Sequence, residues 1–105
     1  MPMTIVVTRN VAPRYRGFLT SVMLEIAPGV YTSPQMSKGV RERIWDVLAG
    51  WFAFNATVGQ QSEDSASIVM TWREAAAAGG QQILTLGVPA KVLIDADGVM
   101  IVNRL

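Results

Sequence analysis

The stretch from Met3 to Thr8 (MTIVVT) does most to restrict the architecture open to this chain. Ile5, Val6 and Val7 are β-branched in succession, which favours a short buried strand. Asn10-Val11-Ala12-Pro13 breaks the run. Pro13 suits the first turn of a helix, where its missing N–H costs nothing. Tyr15, Phe18, Leu19 and Val22 then recur at helical spacing, so the pattern predicts a helix ending near Val22 or Met23. A strand that passes straight into a helix makes this an α/β chain from its first turn onwards.

The remaining periodicities complete the order. Leu24 to Ala27 and Val30 to Thr32 flank Pro28-Gly29, a turn signal, and read as a hairpin that Pro34 ends. Ser37 can cap a second helix, along which Val40, Ile44, Val47, Leu48, Trp51 and Phe52 form an apolar stripe. Gly59 to Ser65 is polar and reads as a loop. Ser67 to Arg73 alternates as a half-buried strand, with Ile68, Met70 and Trp72 on one face. In Glu74 to Gly80 (EAAAAGG) four alanines favour helix and two glycines stop it, so a loop with one helical turn is expected. Gln81 to Leu86 is another strand. Val92 to Ile94 and Val99 to Val102 flank Asp95-Ala96-Asp97-Gly98 as a second hairpin.

This order is that of a ferredoxin-like βαββαβ sandwich with extra C-terminal strands. The 105 residues make one domain, 1–105, with its core over about 1–87 and the extra strands over about 88–105. Helices cover one sheet face, and the strands are apolar on both. Only 16% of residues are charged. A second copy is the simplest cover for the other face, so a homodimer is expected, helped by the extra C-terminal strands.

The chain has neither cysteine nor histidine, which excludes disulfides, thiol catalysis, histidine-based triads and zinc sites built on those ligands. No apolar run is long enough for a membrane span, and the reading is a cytoplasmic protein. The net charge is +1, so any nucleic-acid footprint rests on clustering.

Two clusters qualify. Arg9, Arg14 and Arg16 surround the first helix start, where backbone N–H groups favour phosphate and arginine adds bidentate contacts. Arg14 and Arg16 lie two apart and do not share a face. Lys38 and Arg41 are neighbours on one face at the second helix start, with Arg43 elsewhere. By charge alone, both clusters also read as solvated helix ends. Glu25, Glu63, Asp64, Asp95 and Asp97 are the acids considered for a two-metal site; Asp95 to Gly98 is explained as a turn, and Glu63-Asp64 as a solvated loop tip. Trp51 and Trp72 fall on apolar stripes as core, whereas Trp45 lies off the main stripe and suits an interface. The six methionines read as core filler.

The pattern Val6-Val7-Thr8-x-Asn10-Val11-x-Pro13-Arg14-x-Arg16-Gly17 resembles the CRISPR-associated Cas-two family in its type I-E form. Leu24-Glu25-Ile26-x-x-Gly29-Val30-Tyr31, Arg41-Glu42-x-Ile44-Trp45 and Asp95-x-Asp97-Gly98 continue the likeness. It is dense over Met1 to Trp51 and returns from about Gln81. The resemblance implies a homodimeric scaffold of spacer acquisition, flanked by two Cas-one integrase dimers, with duplex DNA held by its phosphates. Arg14 and Arg16 fall on the family's backbone-contacting arginines, Lys38 and Arg41 near further basic positions, and Lys91 on the remnant of a later basic pair. Arg9 and Asn10 complete the expected nucleic-acid-binding set. The C-terminal strands would pack on the other subunit and dock the integrase.

Members are also described as magnesium-dependent endonucleases acting on single-stranded RNA or duplex DNA. Their proposed metal-binding acid at the end of the first strand is replaced here by Arg9. A cation repels magnesium, which requires oxygen ligands. The scaffold reading needs no cofactor; the nuclease reading needs magnesium. A third reading, a small ferredoxin-like sensor of a metabolite, rests on fold analogy alone.

Overall fold

A computed structural model describes residues 2–57, 66–87, 91–96 and 99–104. Strand β1 spans Thr4–Arg9, helix α1 Pro13–Val22, β2 Leu24–Ala27 and β3 Val30–Ser33. Helix α2 spans Lys38–Thr57, followed by β4 Ser67–Arg73, β5 Gln81–Leu86, β6 Lys91–Ala96 and β7 Val99–Arg104. The expected loop at Gly59–Ser65, with Glu63 and Asp64, lies outside the described residues, as do Asp97 and Gly98.

Five strands form an antiparallel sheet in the order β2-β3-β1-β4-β5. The first four have the ferredoxin-like order, with β1 and β3 central, and β5 adds an edge beside β4. The expected fold class is therefore present, an α+β sandwich with two helices. β6 and β7 pair only with each other, as a separate two-stranded sheet. They run longer than the two short apolar segments suggested, and their backbone lies beside the turn at Ala78–Gly80.

Register decides which side chains share the covered face. Val6 stands opposite both Tyr31 and Met70, and Thr8 opposite Ile68. Val6, Tyr31, Ile68 and Met70 are buried with Tyr15 and Leu19 of α1 and Ile44 and Leu48 of α2. Burying each large side chain of this group stabilises the fold by about 1.5–3 kcal/mol before entropy is counted. The alternate residues point the other way: Met3, Val7 and Leu24 are exposed, and Leu24 is 66% so.

The α2 stripe begins one residue later than its apolar pattern suggests. Val40 is 49% exposed, whereas Arg41 is 5% exposed and in phase with Ile44 and Leu48. Glu74–Gly80 makes only a short 3-10 turn at Ala78–Gly80. Gly79 and Gly80 both hold positive φ, which ends the alanine run before a helix can propagate.

Candidate nucleic-acid interface

The carboxyl end of β1 is built by three local pieces. Thr8 donates its N–H to the Gly29 carbonyl at 2.7 Å and its hydroxyl to the same oxygen at 3.1 Å. Gly29 holds φ of 78°, and a Cβ there would lie 2.7 Å from the Thr8 carbonyl oxygen. The β2–β3 turn can therefore close on β1 only with glycine. Asn10 also holds positive φ, at 55°, a region asparagine tolerates better than most residues. It turns the chain from β1 towards α1. Thr8, Asn10, Val11, Arg16, Pro28 and Gly29 line a shallow concavity of about 270 Å³.

Helix α1 starts without a side-chain cap, because its N-cap is Ala12, and its first turn carries no acid. That leaves its positive dipole end unopposed by a carboxylate of its own first turn. The two arginines of this turn diverge, as their spacing implies. The Arg14 guanidinium lies over the Trp51 ring at 4.7 Å. Trp51 is itself packed edge-on against Tyr15 (5.3 Å) and Phe18 (5.6 Å). Trp51 therefore belongs to the α1–α2 contact and also gives Arg14 a platform, a stacked arginine being worth about 0.5–1 kcal/mol at an exposed site.

Arg16 turns to the opposite side. Its Nη2 donates to Glu25 Oε2 at 3.4 Å, forming the one ion pair among the described residues. The same carboxylate oxygen accepts the Gly29 N–H at 3.0 Å. That backbone donor does most to hold the Glu25 carboxyl below its usual value; desolvation opposes it, and the Arg16 charge adds a lesser lowering. The Tyr31 hydroxyl is fully buried and makes no hydrogen bond of good geometry. It nevertheless favours the charged guanidinium, and together with Glu25 it holds Arg16 above its usual value.

The remaining expected residues separate. Arg9 is exposed at the end of β1, beside Asn10. Lys38 and Arg41 lie towards the other end of that strand, because Trp72, on which Arg41 stacks, stands opposite Thr4. Five residue steps of strand separate Thr4 from Arg9, about 17 Å. The first- and second-helix residues thus form two clusters rather than one.

Arg41 does not share an exposed face with Lys38. Its guanidinium lies 4.2 Å from the Trp72 ring centroid and donates to the Met36 carbonyl at 3.4 Å. Lys38 is the exposed cation there, in a cavity of about 270 Å³ with Trp45 and three acids, Glu42, Asp46 and Glu74. Trp45 is half-buried against the core, with one side in this cavity. Ser37 does cap α2, its hydroxyl accepting the Val40 N–H at 3.2 Å. Lys91 opens β6 opposite Arg104.

Among the described residues, the β1 end of a single chain offers no oxygen-ligand set that suits magnesium. Arg9 occupies the strand terminus, and Glu25 is committed to Arg16 and the Gly29 N–H. Among the described residues, no group of three or more carboxylates gathers as a metal set would. No described helix is long and apolar enough to cross a membrane. Sequence reasoning missed the Arg16–Glu25 pair and the Arg14–Trp51 stack, since neither has a local spacing signature. Residues 3–101 match a family model described as CRISPR-associated protein (Cas_Cas2CT1978).

Proposed function

The chain belongs to the CRISPR-associated Cas-two family, and on that premise we propose that it is the duplex-DNA-binding scaffold of spacer acquisition, in the type I-E form. Two copies pack through the open sheet face and join Cas-one integrase dimers. The observation that carries this reading is the uncapped start of α1, with Arg14 and Arg16 held to either side of it and Arg9 nearby. Phosphate is the ligand class that an acid-free helix start with flanking guanidinium groups suits best.

Other features support the same reading. Met3, Val7 and Leu24 leave apolar surface on the open face, which a second copy would cover. The β6–β7 hairpin is not joined to the main sheet, which leaves it available to dock on another subunit. Lys38, about one strand length away, provides a second phosphate contact along a duplex. The proposed set is Arg9, Asn10, Arg14, Arg16, Lys38 and Lys91; Arg41, buried over Trp72, stands outside it.

Measuring duplex affinity across a salt series tests this. A protein that neutralises Z phosphates gives a slope of roughly −0.9Z in log K against log salt. Arg14→Ala with Arg16→Ala is expected to weaken binding and flatten the slope by about 2 per subunit. Salt-independent binding overturns the proposal. Cleavage of RNA or DNA that requires magnesium and is abolished by one carboxylate substitution favours the endonuclease reading instead.

A further inference from the structure

A continuous set of contacts runs from the last residues of β1 to the Arg16 guanidinium. The Thr8 N–H and hydroxyl clamp the Gly29 carbonyl, the Gly29 N–H holds Glu25 Oε2, and Glu25 Oε2 holds Arg16 Nη2. Arginine has a long side chain whose rotamer freedom must be lost before it can grip a phosphate. In this protein part of that freedom is already removed by a group anchored to the sheet.

We infer that Glu25 is a positioning residue for anion recognition, fixing the Arg16 guanidinium in the orientation that meets a nucleic-acid phosphate. The inference rests on the phosphate reading of Arg16 given above. Two effects oppose each other at this pair. The carboxylate reduces the local positive potential, which weakens attraction to phosphate. It also orients the guanidinium, which strengthens it.

Geometry favours orientation as the larger effect. Glu25 engages a single guanidinium nitrogen through one oxygen, so the other donors of the planar fork are left for a bidentate phosphate contact. The Arg16 side chain is 57% exposed, so solvent and salt screen both the opposing charge and the pair's own attraction, and the directional hydrogen bond is what orients the guanidinium. The backbone anchor at Gly29 persists at any salt concentration. Glu25, like any glutamate not pushed upwards, is charged throughout the neutral range and so able to hold Arg16.

A double-mutant cycle on duplex DNA affinity tests the inference. The full chain is compared with Glu25→Asp, Glu25→Gln, Arg16→Ala and each Glu25 variant combined with Arg16→Ala. Glu25→Asp keeps the charge but shortens the reach, and it is expected to weaken binding about three- to tenfold. Glu25→Gln keeps an acceptor oxygen at the same reach and loses less. Both losses disappear when Arg16 is alanine. Tighter binding by Glu25→Gln with no change for Glu25→Asp overturns the inference, because Glu25 is then only a repulsive charge. A Glu25→Asp loss that persists without Arg16 also overturns it, because the effect then runs through the hairpin turn. Arg16→Ala with unchanged affinity and salt slope is a separate result: it removes the phosphate reading and this inference with it.

Discussion

Val40 and Arg41 sit side by side and exchange the places their chemistry suggests. The valine is half exposed, and the arginine lies buried over Trp72. Helix phase explains the exchange, because Arg41 is three residues from Ile44 and seven from Leu48, both buried. Arginine accepts such a site because its flat, weakly hydrated guanidinium can stack on an indole. Glu25 shows a second residue-scale effect. Its folded pKa is lowered, chiefly by the Gly29 N–H and then by Arg16. Its contribution to stability is therefore present above the pKa of the unfolded chain, and is lost as pH falls through the folded value. In thermal melts, wild type is expected to exceed Glu25→Gln at neutral pH. That gap should close below the ordinary carboxylate range, and a pH-independent gap would exclude this linkage.

The element that organises the candidate site is the β2–β3 hairpin. Pro28-Gly29 marks the turn in the sequence, and its glycine has two separate reasons to be there. One is positive φ; the other is the close approach of the Thr8 carbonyl. Gly29→Ala is expected to destabilise the fold by about 1–3 kcal/mol, read from urea denaturation. It should also disturb Glu25, because the displaced N–H is that carboxylate's backbone partner. Unchanged stability would mean that the turn can open away from β1 at no cost. Helix α1 was legible from its proline start to its last turn, because local spacing alone specifies it. The burial phase of α2 was less so, since an apolar stripe leaves open which of two adjacent residues meets the sheet.

For the whole molecule, the strand order places the two basic clusters towards opposite ends of β1 and leaves one sheet face open. A protein with half its residues hydrophobic and an uncovered face of this kind is expected to associate. Val7 lies on the central strand, with its side chain exposed on that face. Val7→Glu is expected to convert the proposed dimer to a monomer in sedimentation analysis, with circular dichroism unchanged. A wild-type monomer, or a variant that stays dimeric, would move the proposed interface elsewhere.

By itself the sequence determined the order of elements, the strand-to-helix boundary at Pro13 and the divergence of Arg14 from Arg16. These follow from φ restriction, side-chain periodicity and helical spacing, all of which act over a few residues. The tertiary structure decided which cations face solvent and what each one touches. Arg16 meets Glu25 nine positions away, Arg14 meets Trp51 on another helix, and Arg41 meets Trp72 on strand β4. The physical reason is that strand register and helix phase are settled by burial of the whole core. Contacts between residues distant in sequence are consequences of that packing, and no local pattern encodes them.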